Sequence, residues 1–267
     1  MEFRKPSVMS TRRIAPIVLN FKDIRLERQK TNNRLVYSLI EADNKLEFEK
    51  NINGKELTRV LEELEFTFDK FWERCRESRD FGILAAGRLA KCASRQGTKD
   101  EEVQLTTCNI TSSKFGINIT NLSATALRPT KDGEIVSART LRERDIPKDC
   151  CLKSFDGLIE GQMSGYITAK VAYGAGGHQD NVFEEVDTSA EWWTKFKAGS
   201  PETLVMLIDT DLTFKFNRIK EKYQIYDNIK VFNHVDFQNY IIELYSPTAA
   251  ATTTAAATAT EVPVSHQ

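Results

Sequence analysis

The segment Lys153–Glu185, KSFDGLIEGQMSGYITAKVAYGAGGHQDNVFEE, sets an acid and a lysine where two strands would bring them together. Before the turn, Phe155, Gly157 and Ile159 alternate with Asp156, Leu158 and Glu160; after it, Ile167, Ala169 and Val171 alternate with Tyr166, Thr168 and Lys170. A five-residue turn over Gly161–Gly165 places Asp156 opposite Lys170, and such partners share a face with Cβ atoms ~5 Å apart. The apolar face enters a core, and the other gathers the charged groups. A carboxylate there binds a hard cation through oxygen, and the cation polarises a phosphate and acidifies a water. The lysine orients or deprotonates that water, or offsets the charge developing on phosphorus. The same alternation also describes the solvated face of a half-buried hairpin.

The loop GAGGHQDN, Gly174–Asn181, follows the second strand and opens a helix. Its backbone amides can cradle a phosphate at a helix N-terminus. It is neither a Walker loop nor a dinucleotide fingerprint. His178, Gln179 and Asn181 suit base edges or phosphates, whereas Asp180 suits a helix N-cap and the glycines a tight turn. Asp209 and Asp211 end a continuous apolar run, Leu204–Asp211. Open α/β sheets place ligands at that strand end, and turns use the same residues.

These residues need a frame. From Gly54, GKELTRVLEELEFTFDKFWERCRESRD spaces Leu57, Val60, Leu61, Leu64, Phe68, Phe71, Trp72 and Cys75 as one amphipathic helix with an apolar stripe. FGILAAGRLAKCASR predicts a second helix, closed near Gly97. Ile117 and Ile119 begin a strand, Lys131-Asp132-Gly133 a turn, and Glu134–Val136 a short strand. The helix after the glycine-rich loop carries Val182, Phe183, Val186, Trp193 and Phe196. The apolar run Leu204–Asp211 suits a strand covered on both faces, reached by a parallel β-α-β crossover. A basic helix over Lys215–Tyr223, a strand Ile229–Phe232 and a helix Val235–Tyr245 follow. Residues 1–16 read as a mobile arm and 17–246 as a single α/β domain, helical to about residue 100 with its core from about 100 to 246. The Ala/Thr tract 247–267 reads as disordered.

The chain has 267 residues, a formal net charge of −1 and 28% charged residues, ordinary for a globular protein. No apolar run approaches the ~20 residues of a membrane helix, and the N-terminal apolar patch Ile14–Leu19 lacks a cleavage site. The five cysteines, Cys75, Cys92, Cys108, Cys150 and Cys151, have no zinc-ligand spacing. Reduced thiols in a cytoplasmic, intracellular protein with no membrane partner is the expectation. The near-neutral charge weighs against a strongly basic nucleic-acid binder, although Arg25–Lys30 and Arg88–Lys99 are local basic patches. Solvated helix faces also explain such patches, and for Arg25–Lys30 that reading is preferred.

Asp156, the hairpin and then Thr168-Ala169-Lys170 resemble the core of PD-(D/E)xK nucleases, found in many type II restriction endonucleases. GGHQD (Gly176–Asp180) resembles the connection after the catalytic lysine, and SRQGTKDEE (Ser94–Glu102) a segment that precedes the core in some of these enzymes. The resemblance spans about residues 90–240. Ser154 stands where the family often has proline, and Thr168 where it has Asp or Glu. Threonine can hold a water but is a poor ligand, so a second carboxylate must come from elsewhere. Glu160 lies ~13 Å along the strand from Asp156, too far for one metal. Glu184 is a further candidate, and Glu101 or Glu102, from a preceding helix, is preferred.

The resemblance implies a restriction-endonuclease-like mixed sheet core flanked by helices, with a mainly helical N-terminal part. It implies Mg²⁺-dependent, sequence-specific cleavage of double-stranded DNA by a homodimer. Asp156, Thr168 and Lys170 would form the catalytic set, Asp156 with Glu101 or Glu102 would bind the metal, and Ser94, Arg95, Gln96, His178, Gln179 and Asn181 would contact DNA. A non-catalytic nucleic-acid-binding or structural protein and a small-molecule phosphotransferase using Asp209 are the competing expectations.

Overall fold

The structure, a computed structural model, describes residues 14–90, 96–123, 126–173 and 177–246. The chain divides into two compact units. One is Leu19–Asp100; the other runs from Glu101 and includes the residues before Leu19.

The first unit is helical: α1 (Phe21–Glu41), α2 (Lys45–Asn51), α3 (Gly54–Leu64), α4 (Phe68–Glu77) and α5 (Arg79–Leu89). Each starts at a residue whose side chain accepts from a first-turn N–H: Asn20, Asn44, Asn53, Thr67 and Ser78. The single long helix expected from Gly54 is thus two. Glu65 turns left-handed at φ 52°, Phe66 N–H donates to Leu61 O at 3.0 Å, and Thr67 caps α4. Their apolar stripes meet in a core that includes Val36, Ile40, Phe48, Phe71, Trp72 and Leu89. The helix expected to close near Gly97 already ends at Leu89. Arg25 and Arg28 of α1 both bind the buried carboxylate of Asp100, at 2.5 and 2.9 Å. This corrects the solvated-face reading of the Arg25–Lys30 patch, because the two guanidiniums are turned inward.

The unit boundary falls inside α6 (Gln96–Ser112). The second unit continues with β1 (Ile117–Asn121), β2 (Leu127–Pro129), β3 (Ile135–Ser137), α7 (Ala138–Glu143), β4 (Gly157–Gly161), β5 (Gly165–Ala172), α8 (Gly177–Phe196), β6 (Thr203–Thr210), α9 (Thr213–Tyr223), β7 (Ile229–Phe232) and α10 (His234–Tyr245). Five strands form a mixed sheet in the order β1-β4-β5-β6-β7, antiparallel up to β5 and parallel beyond it, while β2 and β3 form a small separate hairpin. The β5-α8-β6 crossover is the parallel one that the apolar run predicts. The fold is α/β.

Both sheet faces are covered. On one, Val186 and Trp193 of α8 with Ile219 and Tyr223 of α9 pack against Leu204, Met206 and Ile208. On the other, Leu105 and Cys108 of α6 with Phe237 and Ile241 of α10 pack against Ile167, Ala169, Val205 and Leu207. Leu204–Ile208 are each at most 1% exposed, and full burial of such side chains stabilises by about 1.5–3 kcal/mol apiece. That central strand anchors β5, which carries Lys170.

The hairpin register differs from the expected one. β4 pairs with β5 through Gly157 with Ile167 and Ile159 with Gly165, two residues short of the expected pairing, and just before the ladder Asp156 N–H donates to Ile167 O at 2.8 Å, so Asp156 does not pair with Lys170. Gly161 and Gly165 end the strands instead of filling the turn. A Cβ on Gly161 (φ 111°) would stand 2.0 Å from Gly116 O, and one on Gly165 (φ 155°) 1.9 Å from Thr203 O. Only glycine lets the flanking backbones approach this closely. The shift is by two residues, so every side chain keeps its face. Asp156 and Lys170 still face the same way.

Candidate active site

The carboxyl end of β5 presents Lys170, and the residue entering β4 presents Asp156. Lys170 Nζ lies 3.3 Å from Asp156 Oδ2 and 3.2 Å from Glu101 Oε1, which comes from α6. Ala169 N–H donates to Asp156 Oδ2 at 2.8 Å. The three charged side chains are 12% (Lys170), 19% (Glu101) and 23% (Asp156) exposed, a half-sheltered cluster that solvent can still reach. The helix thus brings a second carboxylate, Glu101, beside the lysine. Thr168 itself is buried on the same strand face, 5% exposed. Glu102 is exposed, on the outer side of α6.

Burial raises the pKa of Asp156, with Lys170 and the Ala169 hydrogen bond pulling the other way. Burial likewise raises that of Glu101, and Asp156 adds to the rise while Lys170 opposes it. For Lys170 burial alone would lower the value, but the two carboxylates outweigh it and hold the ammonium form above its usual range. The site is therefore two reluctant carboxylates around a committed cation.

Glu185 on α8 adds a further negative charge that bears on all three groups. It pairs with Lys153 Nζ. These two side chains, with Asn181 and Glu184, help line a groove of about 480 Å³ along α8. The groove contains Asn181, an expected DNA contact. Glu185 was not singled out from sequence, where Glu184 was. The signal was available: positions 181, 184, 185 and 188 share one helix face.

Of the other expected contacts, Ser94 and Arg95 lie outside the described residues. Gln96, His178 and Gln179 are described only as helical backbone.

Asp209 has a different fate from the ligand role weighed for it. It is 4% exposed. Its Oδ2 accepts from Gln104 Nε2 at 2.6 Å, and its Oδ1 is 2.7 Å from His234 Nδ1. Behind it, Gln238 bonds Thr111 Oγ1, His234 O and both backbone groups of Ile17. The Cys108 thiol in the same region is pushed up by burial, with Asp209 adding to it. This interior polar network joins α6, β6 and α10, and both oxygens of Asp209 are engaged. No local pattern announced it, because its members are far apart in sequence.

Among the described residues, no group of three or more His, Cys, Asp and Glu side chains is disposed to hold a metal ion, and the cysteines Cys75, Cys108, Cys150 and Cys151 are free thiols. No helix among them is long and apolar enough to cross a membrane. Comparison with protein-family models, curated proteins and solved structures found no match for the chain.

Proposed function

We propose that the chain is a metal-dependent endonuclease that hydrolyses phosphodiester bonds in double-stranded DNA, with a restriction-endonuclease-like core and a type II, sequence-specific mode of action as a homodimer. The observation that carries this reading is the convergence of Glu101, from α6, with Asp156 and Lys170. It supplies the second carboxylate that the PD-(D/E)xK resemblance requires and that Thr168 withholds.

The donor set fits Mg²⁺, which is commonly bound through one or two carboxylates, with substrate phosphate and water supplying the rest. Asp156 and Glu101 would hold it, and their raised pKa values fit a site whose negative charge is costly until a cation arrives. When bound, the ion supplies Lewis-acid polarisation of the scissile phosphate and acidifies water. Asp156 is kept in place by the Ala169 N–H. Lys170, held as ammonium, donates hydrogen bonds to the attacking water and to a phosphate oxygen, offsetting the charge that develops there. Its raised pKa favours this role over that of a base. Thr168, on the same face of β5 as Lys170, offers a hydroxyl that can orient the water.

The phosphotransferase reading loses its main residue, since Asp209 is engaged by Gln104 and His234. A nuclease scaffold that binds without cutting is distinguished by experiment. Supercoiled plasmid incubated with the protein and Mg²⁺, with an EDTA control, should be converted to discrete linear bands. Lys170→Ala should abolish the conversion while leaving binding largely intact. No cutting with Mg²⁺ or Mn²⁺, or near wild-type cutting by the variant, would sink the reading.

A further inference from the structure

Helix α9 is two-faced. Ile219 and Tyr223 are buried in the core, and Phe216 packs against it. Phe214, at the start of the helix, is 78% exposed. Asn217 and Arg218 are exposed one turn further along, and residues three and four apart share a helix face. Aromatic ring, amide and guanidinium therefore form one outward stripe, which Glu221 closes. The helix carries Lys215, Arg218, Lys220 and Lys222 against the single acid Glu221, in a chain whose net charge is −1.

Its place matters more than its composition. β5 and β6 run parallel in register, Lys170 beside Ile208 and Ala172 beside Thr210. Phe214 opens the helix that leaves β6, so it stands at the same carboxyl edge of the sheet as Lys170. Lys215 Nζ sits 5.7 Å from the ring centroid of Phe183, tying the first turn of α9 to α8. At the far end Lys222 is held by Asp187 and Glu191. A singly exposed apolar residue is ordinary on a protein surface. One set among basic residues on the edge that carries the catalytic cluster is suited to an anionic, base-bearing partner.

We propose that Phe214, Asn217 and Arg218 form a duplex-DNA contact beside the cleavage site, a reading that rests on the endonuclease assignment above. Phe214 stacks on a base next to the scissile phosphate, and Arg218 neutralises a backbone phosphate, with Asn217 bonding between them. The aromatic group grips a locally unstacked step, and the basic group sets the register of the strand over Lys170. This surface lies outside the segments singled out from sequence for DNA contact.

The test uses the full chain and a duplex that contains the sequence found at the ends of its own cleavage products. Ca²⁺ replaces Mg²⁺ to hold the complex uncut, and binding is read by fluorescence anisotropy. Phe214→Ala should weaken binding about 10- to 100-fold, the range expected for losing one base-aromatic stack. Phe214→Trp should restore it, and melting temperatures should stay level because the ring is exposed. Arg218→Ala should lower affinity on any duplex and reduce the salt slope by about one ion. A 2-aminopurine placed beside the cut should change its emission on binding the parent protein but not Phe214→Ala. A parent that cuts DNA while Phe214→Ala binds and cuts unchanged overturns this contact and leaves the endonuclease assignment standing. A parent that neither binds nor cuts duplex DNA overturns both. A variant altered only in its self-association would make the stripe a protein interface and overturn the contact.

Discussion

The Asp156 carboxylate is fastened by the backbone of Ala169, the residue before Lys170, through an N–H donated at 2.8 Å. The acid is thereby held at a fixed height above the strand that carries the lysine. Asn at this position could still accept that N–H through its Oδ1, but it is a much poorer ligand for a hard dication. Asp156→Asn should therefore fold normally, bind Ca²⁺ at least tenfold more weakly by calorimetry, and fail to cut plasmid. Unchanged calcium affinity would remove Asp156 from the metal site.

Removing Lys170 should expose how the cluster stores charge. Asp156 and Glu101 have raised pKa values in the folded protein. Their contribution to stability is fully present below the unfolded value, about 4, and is lost as pH rises through the folded value. Lys170, also raised, contributes stability below its own unfolded value of about 10.4 and loses it as pH rises through the folded one. At pH 8 Lys170→Ala leaves two sheltered like charges without a counter-ion, a loss of about 2 kcal/mol for a partly exposed site. The deficit should shrink as pH falls towards the unfolded value of about 4 and the carboxylates take up protons. Urea titrations at the two pH values measure it, and a deficit independent of pH would show that the three groups do not interact as a charge cluster.

What could be read from the chain, and what could not, follows from the range of the interactions. Alternation along Phe155–Glu160 and Tyr166–Val171 is local, so the hairpin, its faces and the parallel step to Leu204–Ile208 were legible. The register was not, because the roles of Gly161 and Gly165 depend on the approach of Gly116 and Thr203. The break at Glu65 was hidden by an apolar stripe that continues in phase across it. Glu101 could be named only as one of several acids, since choosing it over Glu102 requires knowing how α6 is turned. Asp209 looked like a ligand because its partners Gln104 and His234 are remote in sequence.

The same network predicts a stability effect separate from catalysis. His234→Ala removes the ring beside Asp209 Oδ1 and leaves a buried carboxylate with fewer partners. Leaving a buried acceptor short of its hydrogen-bond partner costs about 1–3 kcal/mol. Chemical denaturation should register that loss, whereas calorimetric Ca²⁺ affinity of the folded variant should match the parent. A variant of normal stability with altered cation binding would return Asp209 to the list of ligands.

In the helical unit, Asp100 is gripped by Arg25 and Arg28 and has no side-chain exposure. Asp100→Asn keeps the shape but leaves two guanidiniums facing a neutral amide. A loss of about 3 kcal/mol is expected, on the scale of an unpaired buried charge. Circular dichroism melts would detect it, and a change within error would mean that solvent readily takes over the role of the carboxylate.

Glu101 and Glu102 give the sharpest comparison, because they are adjacent, chemically identical and oppositely placed. Glu101 meets Lys170 at 3.2 Å, and Glu102 is exposed on the outside of α6. Substituting either with Gln changes net charge by the same amount and helix propensity very little, so long-range charge and local folding cancel in the comparison. Glu101→Gln should lower the cleavage rate by at least 100-fold, a barrier increase of about 2.7 kcal/mol. It should also weaken calcium binding. Glu102→Gln should cut at the parent rate. Single-turnover assays on one duplex would read both rates, and the reverse ordering, or equal losses, would break the assignment of the second carboxylate to Glu101.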